Sequence, residues 1–389
     1  MAFLMSLVAL SIDSMLPALS VIGESFQVKN VNSTQLIVLI FFIGTGFGQL
    51  FFGPLSDSIG RKPAIYAGVS IFVVGCLISA FAPTFYILLG GRLLQGLGVS
   101  TARVVTQAII RDQHQGRSMA RVMSFITTIF ILVPAIAPAL GQGIVYFFNW
   151  QAIFLFLIFI ASIGMFWLFK RLPETLPVER RLPFTGAQYF YGISEILREP
   201  ISWGYTLASS FIFSALIAYL TMAQQIFQFL YQRGTQFPLF FGSLALTIGL
   251  SSLFNAKLVM IHGMVVLSQR ALFIFTVLSG CFFIVTQIYP QPPLWALMLF
   301  LGPAFFCIGM LFGNFNALAM EPLGHIAGIG SAMMGSIQML LSVLIGGLIG
   351  QSYHGTLVPL AAGFMILGAL ALLSIKIATQ ISKKIRVET

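Results

Sequence analysis

The chain has 389 residues, of which 58% are hydrophobic and 8% charged, against roughly 25% charged residues in ordinary soluble domains. That composition excludes a soluble fold and calls for a lipid bilayer. The formal net charge of +10 does not imply nucleic acid, because the Lys and Arg residues cluster in alternate connections and form no continuous basic stripe.

A spanning helix needs about 20 mostly apolar residues. Runs of that kind recur at residues 2–22, 34–54, 63–82, 84–110, 122–146 and 151–170, then at 201–222, 237–260, 271–289, 294–315, 327–350 and 356–377. The expected fold is therefore an all-α membrane protein with twelve transmembrane helices in two six-helix halves, residues 1–171 and 201–389, joined by a cytoplasmic linker at 172–200. The first run is longer than a signal-peptide core, carries Asp13 and Pro17, and lacks a basic leader, so it reads as a retained helix. Arg61 and Lys62, Arg111, Arg117 and Arg121, Lys170 and Arg171, Arg180, Arg181 and Arg198, Lys257 and Arg270 fall in one set of connections, with Lys376, Lys383, Lys384 and Arg386 in the tail. The opposite set holds only Lys29 and Arg233. The positive-inside rule then puts both termini in the cytoplasm. The segments GPLSDSIGRKP after helix 2 and FNAKLVMIHG after helix 8 echo each other weakly, as parallel repeated halves would.

Charge inside a span is costly and marks functional candidates. Asp13 lies well inside helix 1, and the other nine of the ten acids lie in loops or at helix ends. Burial favours the neutral carboxyl and a nearby guanidinium favours the carboxylate, so Asp13 is the natural proton carrier. A static Asp13–Arg92 pair that fixes packing is the alternative. Arg92 and Arg103 stand eleven residues apart on helix 4, which returns to nearly the same helical face. Pro17, four residues after Asp13, frees the Asp13 carbonyl and kinks the helix, though proline in a membrane helix also serves packing alone. In helix 5, VPAIAPALGQG sets Pro134 and Pro138 one turn apart, followed by Gly141 and Gly143, a helix able to bend and to let another backbone come close.

Between helices 2 and 3, Gly53 and Gly60 allow a tight turn in which Asp57 meets Arg61 and Lys62, with Asp112 at the inner end of helix 4 as a further partner. This group is either a cytoplasmic latch or a solvated turn whose charges set topology. Cys76, Cys281 and Cys307 sit in apolar runs without metal or disulfide spacing. No phosphate-binding G-x-x-x-x-G-K-[ST] sequence occurs. His114, His262, His325 and His354 all lie in predicted loops or helix ends, so neither an ATPase nor an intramembrane enzyme is expected.

GPLSDSIGRKP resembles the loop signature of the major facilitator superfamily, RLLQGLG from Arg92 to Gly98 its helix 4 motif, and APALGQG the helix 5 motif of its antiporters. SIDSMLPAL, LPETL, FNAKLV and GNFNALAMEPLGHIAGIGSAMMGSIQ resemble the Bcr/CflA drug-efflux family along essentially the whole chain. The resemblance implies the major facilitator fold and proton-driven export of small molecules. It makes Asp13 a coupling carboxylate, Arg92 a cavity arginine, Gly53, Asp57, Arg61 and Asp112 the cytoplasmic gate, and Pro134, Pro138 and Gly141 the antiporter motif. Met15, Gln151 and the helix 7 end YLTMAQQIF depart from the family pattern.

Helix position adds Gln95, Arg103, Asn314, Asn316 and Gln338 to the expected substrate cavity, with apolar walls supplied by 39 Phe and 16 Met. One acid against two arginines predicts preference for neutral, zwitterionic or anionic compounds over dications. The expected partners are a small-molecule substrate, protons and the bilayer of a bacterial inner membrane. No cofactor beyond the proton gradient is expected, and the chain is expected to work as a monomer. Proton-linked nutrient uptake and a non-transporting receptor or scaffold are the other readings.

Overall fold

A computed structural model describes the backbone of residues 2–113, 116–181, 183, 185–289 and 291–388. It describes their side chains except at 2, 116–121, 123–131, 186–191, 325, 327 and 385–388. The expectations for His114 and for the side chains of Arg117, Arg121, His325 and Arg386 lie outside what is described. The chain divides into two units, Met1–Gly186 and Ala187–Thr389, a boundary that falls within the expected linker.

In unit 1, α1 (Ala2–Asp13), a 3₁₀ turn (Leu16–Ala18) and α2 (Leu19–Ser25) make the first span. It is followed by α3 (Leu36–Ile59), α4 (Arg61–Ala80), α5 (Phe85–Gln113), α6 (Gly116–Phe147) and α7 (Gln151–Arg171). At the boundary lies α8 (Gly186–Arg198), which is too short to span. Unit 2 continues with α9 (Pro200–Gln224), extended by a π-helical turn (Gln225–Leu230), then α10 (Phe237–His262), α11 (Met264–Ile288), α12 (Leu294–Met320), α13 (Ala327–Gln351) and α14 (Val358–Glu388). Eleven helices among the described residues are long and apolar enough to cross a membrane. The twelfth place belongs to α6, whose described apolar part is Leu132–Phe147. Helices satisfy their backbone groups internally, as hydrocarbon demands, and no strand occurs among the described residues.

Two expected turns are tighter than the sequence implied. Gly53 through Ile59 is not a loop but the last two turns of α3. Only Gly60, at φ +108°, reverses the chain, and the next residue already starts α4. Likewise α10 runs through FNAKLVMIH, and Gly263, at φ +76°, alone separates it from α11. A non-glycine residue at either position would meet the steric penalty of the left-handed region.

The core of unit 1 is α5, wedged between α3 and α4 by small residues. A Cβ on Gly44 or Gly48 of α3 would collide with the Leu93 or Leu97 backbone of α5, and one on Gly75 of α4 would lie 2.7 Å from the Gly91 carbonyl. Backbones this close gain dispersion contact along both seams. They also bring polar side chains on α5 within reach of three neighbouring helices.

Candidate functional site

The first span breaks where its acid lies. After Asp13 the hydrogen bonding tightens from Ser14 N–H to the Leu10 carbonyl (3.2 Å) to Met15 N–H to the Ile12 carbonyl (3.1 Å), and Pro17 has no N–H to give the Asp13 carbonyl. Ser11 and Ser14 donate their hydroxyls to the Leu7 and Leu10 carbonyls at 2.6 and 2.5 Å, a pattern that bends helices further. Asp13 itself is 5% exposed. Among the described residues its carboxylate has neither a hydrogen-bond partner nor an ion-pair partner.

The helix 5 motif closes on this break. A Cβ on Gly141 of α6 would run into the Ser14 carbonyl, so glycine is what allows α6 to touch the kinked backbone beside Asp13. Pro138, one turn earlier, is buried and Pro134 half-buried.

Arg92 does not pair with Asp13. Its Nη2 donates to the Ser11 carbonyl at 3.0 Å, its Nε to the Ile37 carbonyl at 3.0 Å and its Nη1 to Gln95 Oε1 at 2.7 Å. The guanidinium carbon lies 4.5 Å from the centre of the Phe41 ring. Gln95 passes the linkage on, its Nε2 donating to the Gly75 carbonyl at 3.1 Å and to Ser79 Oγ at 2.9 Å. Both residues are 0% exposed. They staple α1, α3 and α4 to α5 and face no open space in this structure. Arg103 differs: it is half-buried and has no hydrogen-bond or ion-pair partner among the described residues.

Where α3 ends, α4 begins and α5 ends, the expected gate residues meet. Arg61 forms an ion pair with Asp57 one turn back and with Asp112, Nε to Oδ2, at 3.0 Å. It also donates to Ser56 Oγ at 2.9 Å. Gly53 contributes its carbonyl, which accepts the Ser56 hydroxyl at 2.8 Å. The residue that completes the cluster was not expected there. Glu174, 113 residues after Arg61 in sequence, accepts the Arg61 N–H at 3.0 Å through Oε1 and the Lys62 N–H at 3.0 Å through Oε2. It thereby caps α4 with a carboxylate, the charge that a helix amino terminus favours. The N–H groups of Thr175 and Leu176 reach the same Oε1 at 2.9 and 3.0 Å, and Thr175 Oγ1 donates to Asp112 at 3.2 Å. Partial burial works against ionisation of Glu174, but these four backbone donors outweigh it and hold the carboxyl below the usual glutamate range. The only sequence signal was the LPETL stretch, because periodicity carries no information about a contact this remote.

In unit 2 the expected cavity residues occupy helix seams. Asn314 of α12 and Asn255 of α10 exchange amide hydrogen bonds of 3.0 and 2.9 Å. Gln338 of α13 donates to Ser209 Oγ of α9 at 2.7 Å, and Ser342 one turn on donates to the Ser210 carbonyl at 2.8 Å. Asn316 is half-buried, with no partner among the described residues. The unusual end of helix 7 winds into the π turn, where Gln224 Nε2 donates to Gln228 Oε1 at 2.9 Å. Among the described residues no group of His, Cys, Asp and Glu could hold a metal ion.

Comparison with known proteins gives this architecture its place. Residues 1–347 match the family model of the Major Facilitator Superfamily. An uncharacterized MFS-type transporter, YdgK of Bacillus subtilis, is 29% identical, the match covering 95% of this chain and 94% of that one. A bicyclomycin resistance protein homolog of Haemophilus influenzae is also 29% identical, over 94% of this chain and 90% of its own, in keeping with the narrower Bcr/CflA resemblance. Among solved structures a D-xylose-proton symporter superposes with a TM-score of 0.75 at 15% identity, over 97% of this chain and 95% of that one, a likeness of fold. This chain belongs to the Major Facilitator Superfamily: it is a multi-pass membrane transporter, not an enzyme.

Proposed function

We propose that this transporter exports small amphipathic compounds, drugs or related metabolites, across a bacterial inner membrane in exchange for protons, working as a monomer with both termini in the cytoplasm. The observation that carries the reading is Asp13, an acid buried at a broken helix with no ion-pair partner among the described residues. An ionised carboxylate without a partner costs several kcal/mol in a low-dielectric setting, and binding a proton removes that cost. A site of this kind favours the proton when sealed and releases it when water or a cation reaches it. The break at Pro17 and the contact of Gly141 with Ser14 put two deformable helices beside the acid, so movement of either changes its hydration. The Asp57–Arg61–Asp112 cluster, held by Glu174, is the element whose making and breaking gates the cytoplasmic side. Efflux as the direction rests on the Haemophilus influenzae relative's name.

The test is resistance and efflux in a pump-deficient bacterium expressing wild type or Asp13→Asn at equal levels, with and without a protonophore. Resistance that is lost on either treatment supports proton-coupled export through Asp13. Accumulation of labelled nutrients without resistance to any compound of a broad panel would replace export by uptake. A mutant that pumps like wild type would reduce Asp13 to a packing residue.

A further inference from the structure

The two arginines of α5 share a face but not a fate. At 100° per residue, Arg103 falls in one stripe with Arg92, Val99, Thr106 and Ile110. Arg92 and Thr106 are 0% exposed, and Val99 and Ile110 are 2% exposed. The exposed stripe lies roughly 100–120° around the helix from Arg92 and carries Tyr86 and Leu93, exposed at 82% and 38%. Of the residues sharing the Arg92 stripe, Arg103 alone is half-buried and not buried, so part of its surface stays accessible on the packed side of α5. It stands ten residues, about 15 Å along the axis, before the carboxy-terminal end of the helix at Gln113. Arg92 has already committed its guanidinium to Ser11, Ile37 and Gln95. Arg103 has made no such commitment among the described residues.

A guanidinium left unpaired within a candidate membrane span is expensive and presents a planar fork matched to a carboxylate. We infer that Arg103 is the docking point for the anionic group of the transported compound, and that the preferred substrates are amphipathic carboxylates. The inference rests on the transport reading above and adds the substrate class to it. Arg92 lies eleven residues from Arg103, about 16 Å along α5, and holds the carbonyl two residues before Asp13. The substrate anion and the proton therefore bind at separate places, and neither neutralises the other directly.

The experiment is equilibrium binding to the full chain in nanodiscs without a proton gradient. The probes are dansylglycine and its methyl ester, which differ only in the charged group. Wild type is expected to bind the acid roughly tenfold or more tightly than the ester, the scale of one charge-assisted hydrogen bond. Arg103→Gln is expected to erase the preference and Arg103→Lys to keep part of it, with folding checked by size-exclusion and circular dichroism. Zwitterionic and anionic nanodiscs are run in parallel. A wild type without preference for the acid, or a preference that survives in Arg103→Gln, overturns the inference. So does a preference that vanishes in anionic lipid, which would identify lipid phosphate as the occupant. Because no gradient is applied, failure of proton coupling leaves this result standing, and failure here leaves proton coupling untouched.

Discussion

The two halves of the molecule contain the same turn, put to different use. Gly60 and Gly263 each end one helix and begin the next with a positive φ. At Gly60 a Cβ would lie 2.8 Å from the Glu174 carboxylate, whereas at Gly263 nothing lies within 4 Å. The first turn has been built into a charge cluster and the second left plain. The contrast extends inward. In unit 1 the charged side chains Arg92, Arg61 and Glu174 make the bonds between segments, with Arg61 alone of the three in ion pairs, whereas the seams of unit 2 use the neutral Asn255–Asn314 and Gln338–Ser209 pairs. Carboxylate bonds respond to protons, and amide and hydroxyl bonds do not. The carboxylate-dependent contacts between separate segments described here, those of Asp112 and Glu174, lie in unit 1.

The sharpest way to break that comparison is at Arg92. Arg92→Ala leaves the Gln95 amide and the Ser11 and Ile37 carbonyls short of donors in a sealed site, at about 1–3 kcal/mol for each buried polar group. We expect a large fall in the thermal midpoint and in the yield of folded protein. An unchanged midpoint would mean that the staple is dispensable. The matching cut in unit 2 is milder. Asn314→Ala is expected to cost about 1–2 kcal/mol, and Asn255→Ala with Asn314→Ala less than the sum of the two, read by a double-mutant cycle of thermal stabilities. Strict additivity would deny that the two amides act as a pair.

A smaller effect sharpens the contrast at the two turns. Glu174→Gln is expected to lose about 1 kcal/mol or less, since solvent still reaches the residue. Its pH dependence is more telling than its size. The folded-state pKa of Glu174 is depressed, so its contribution is complete above the ordinary glutamate value and is lost as pH falls through the lower folded value. The variant should flatten the acid limb of the stability–pH curve. A limb as steep as that of wild type would show that the cap carries no weight.

Much of this arrangement was legible in advance, for reasons that differ by residue. Hydrophobic run length reports the spans directly, because the bilayer imposes it. Asp13, Pro17 and Gly141 stood out because an acid, a proline and a glycine are each conspicuous in an apolar helix. The echo between GPLSDSIGRKP and FNAKLVMIHG proved to be a shared helix–glycine–helix turn. Helical register could place Arg92 and Gln95 on one face, but it could not say that they spend their hydrogen bonds on α1, α3 and α4. Glu174 and Asn255 escaped notice because their partners lie 113 and 59 residues away, and their own segments carry no periodic signal. Gly53–Ile59 reads as a loop because glycine and proline begin it, yet it continues α3 to Ile59, and Asp57 reaches Arg61 across the break at Gly60.

The central claim is that Asp13 exchanges a proton when substrate moves. Its most direct test is proton flux in liposomes reconstituted with the full chain and loaded with a fluorescent pH indicator. Flux is started by adding the compound that gives the strongest resistance in cells. Wild type should move protons on addition of the compound, and Asp13→Asn should move none while still binding it. Substrate-driven proton movement of equal rate in Asp13→Asn would contradict the account and send the search for the coupling group elsewhere.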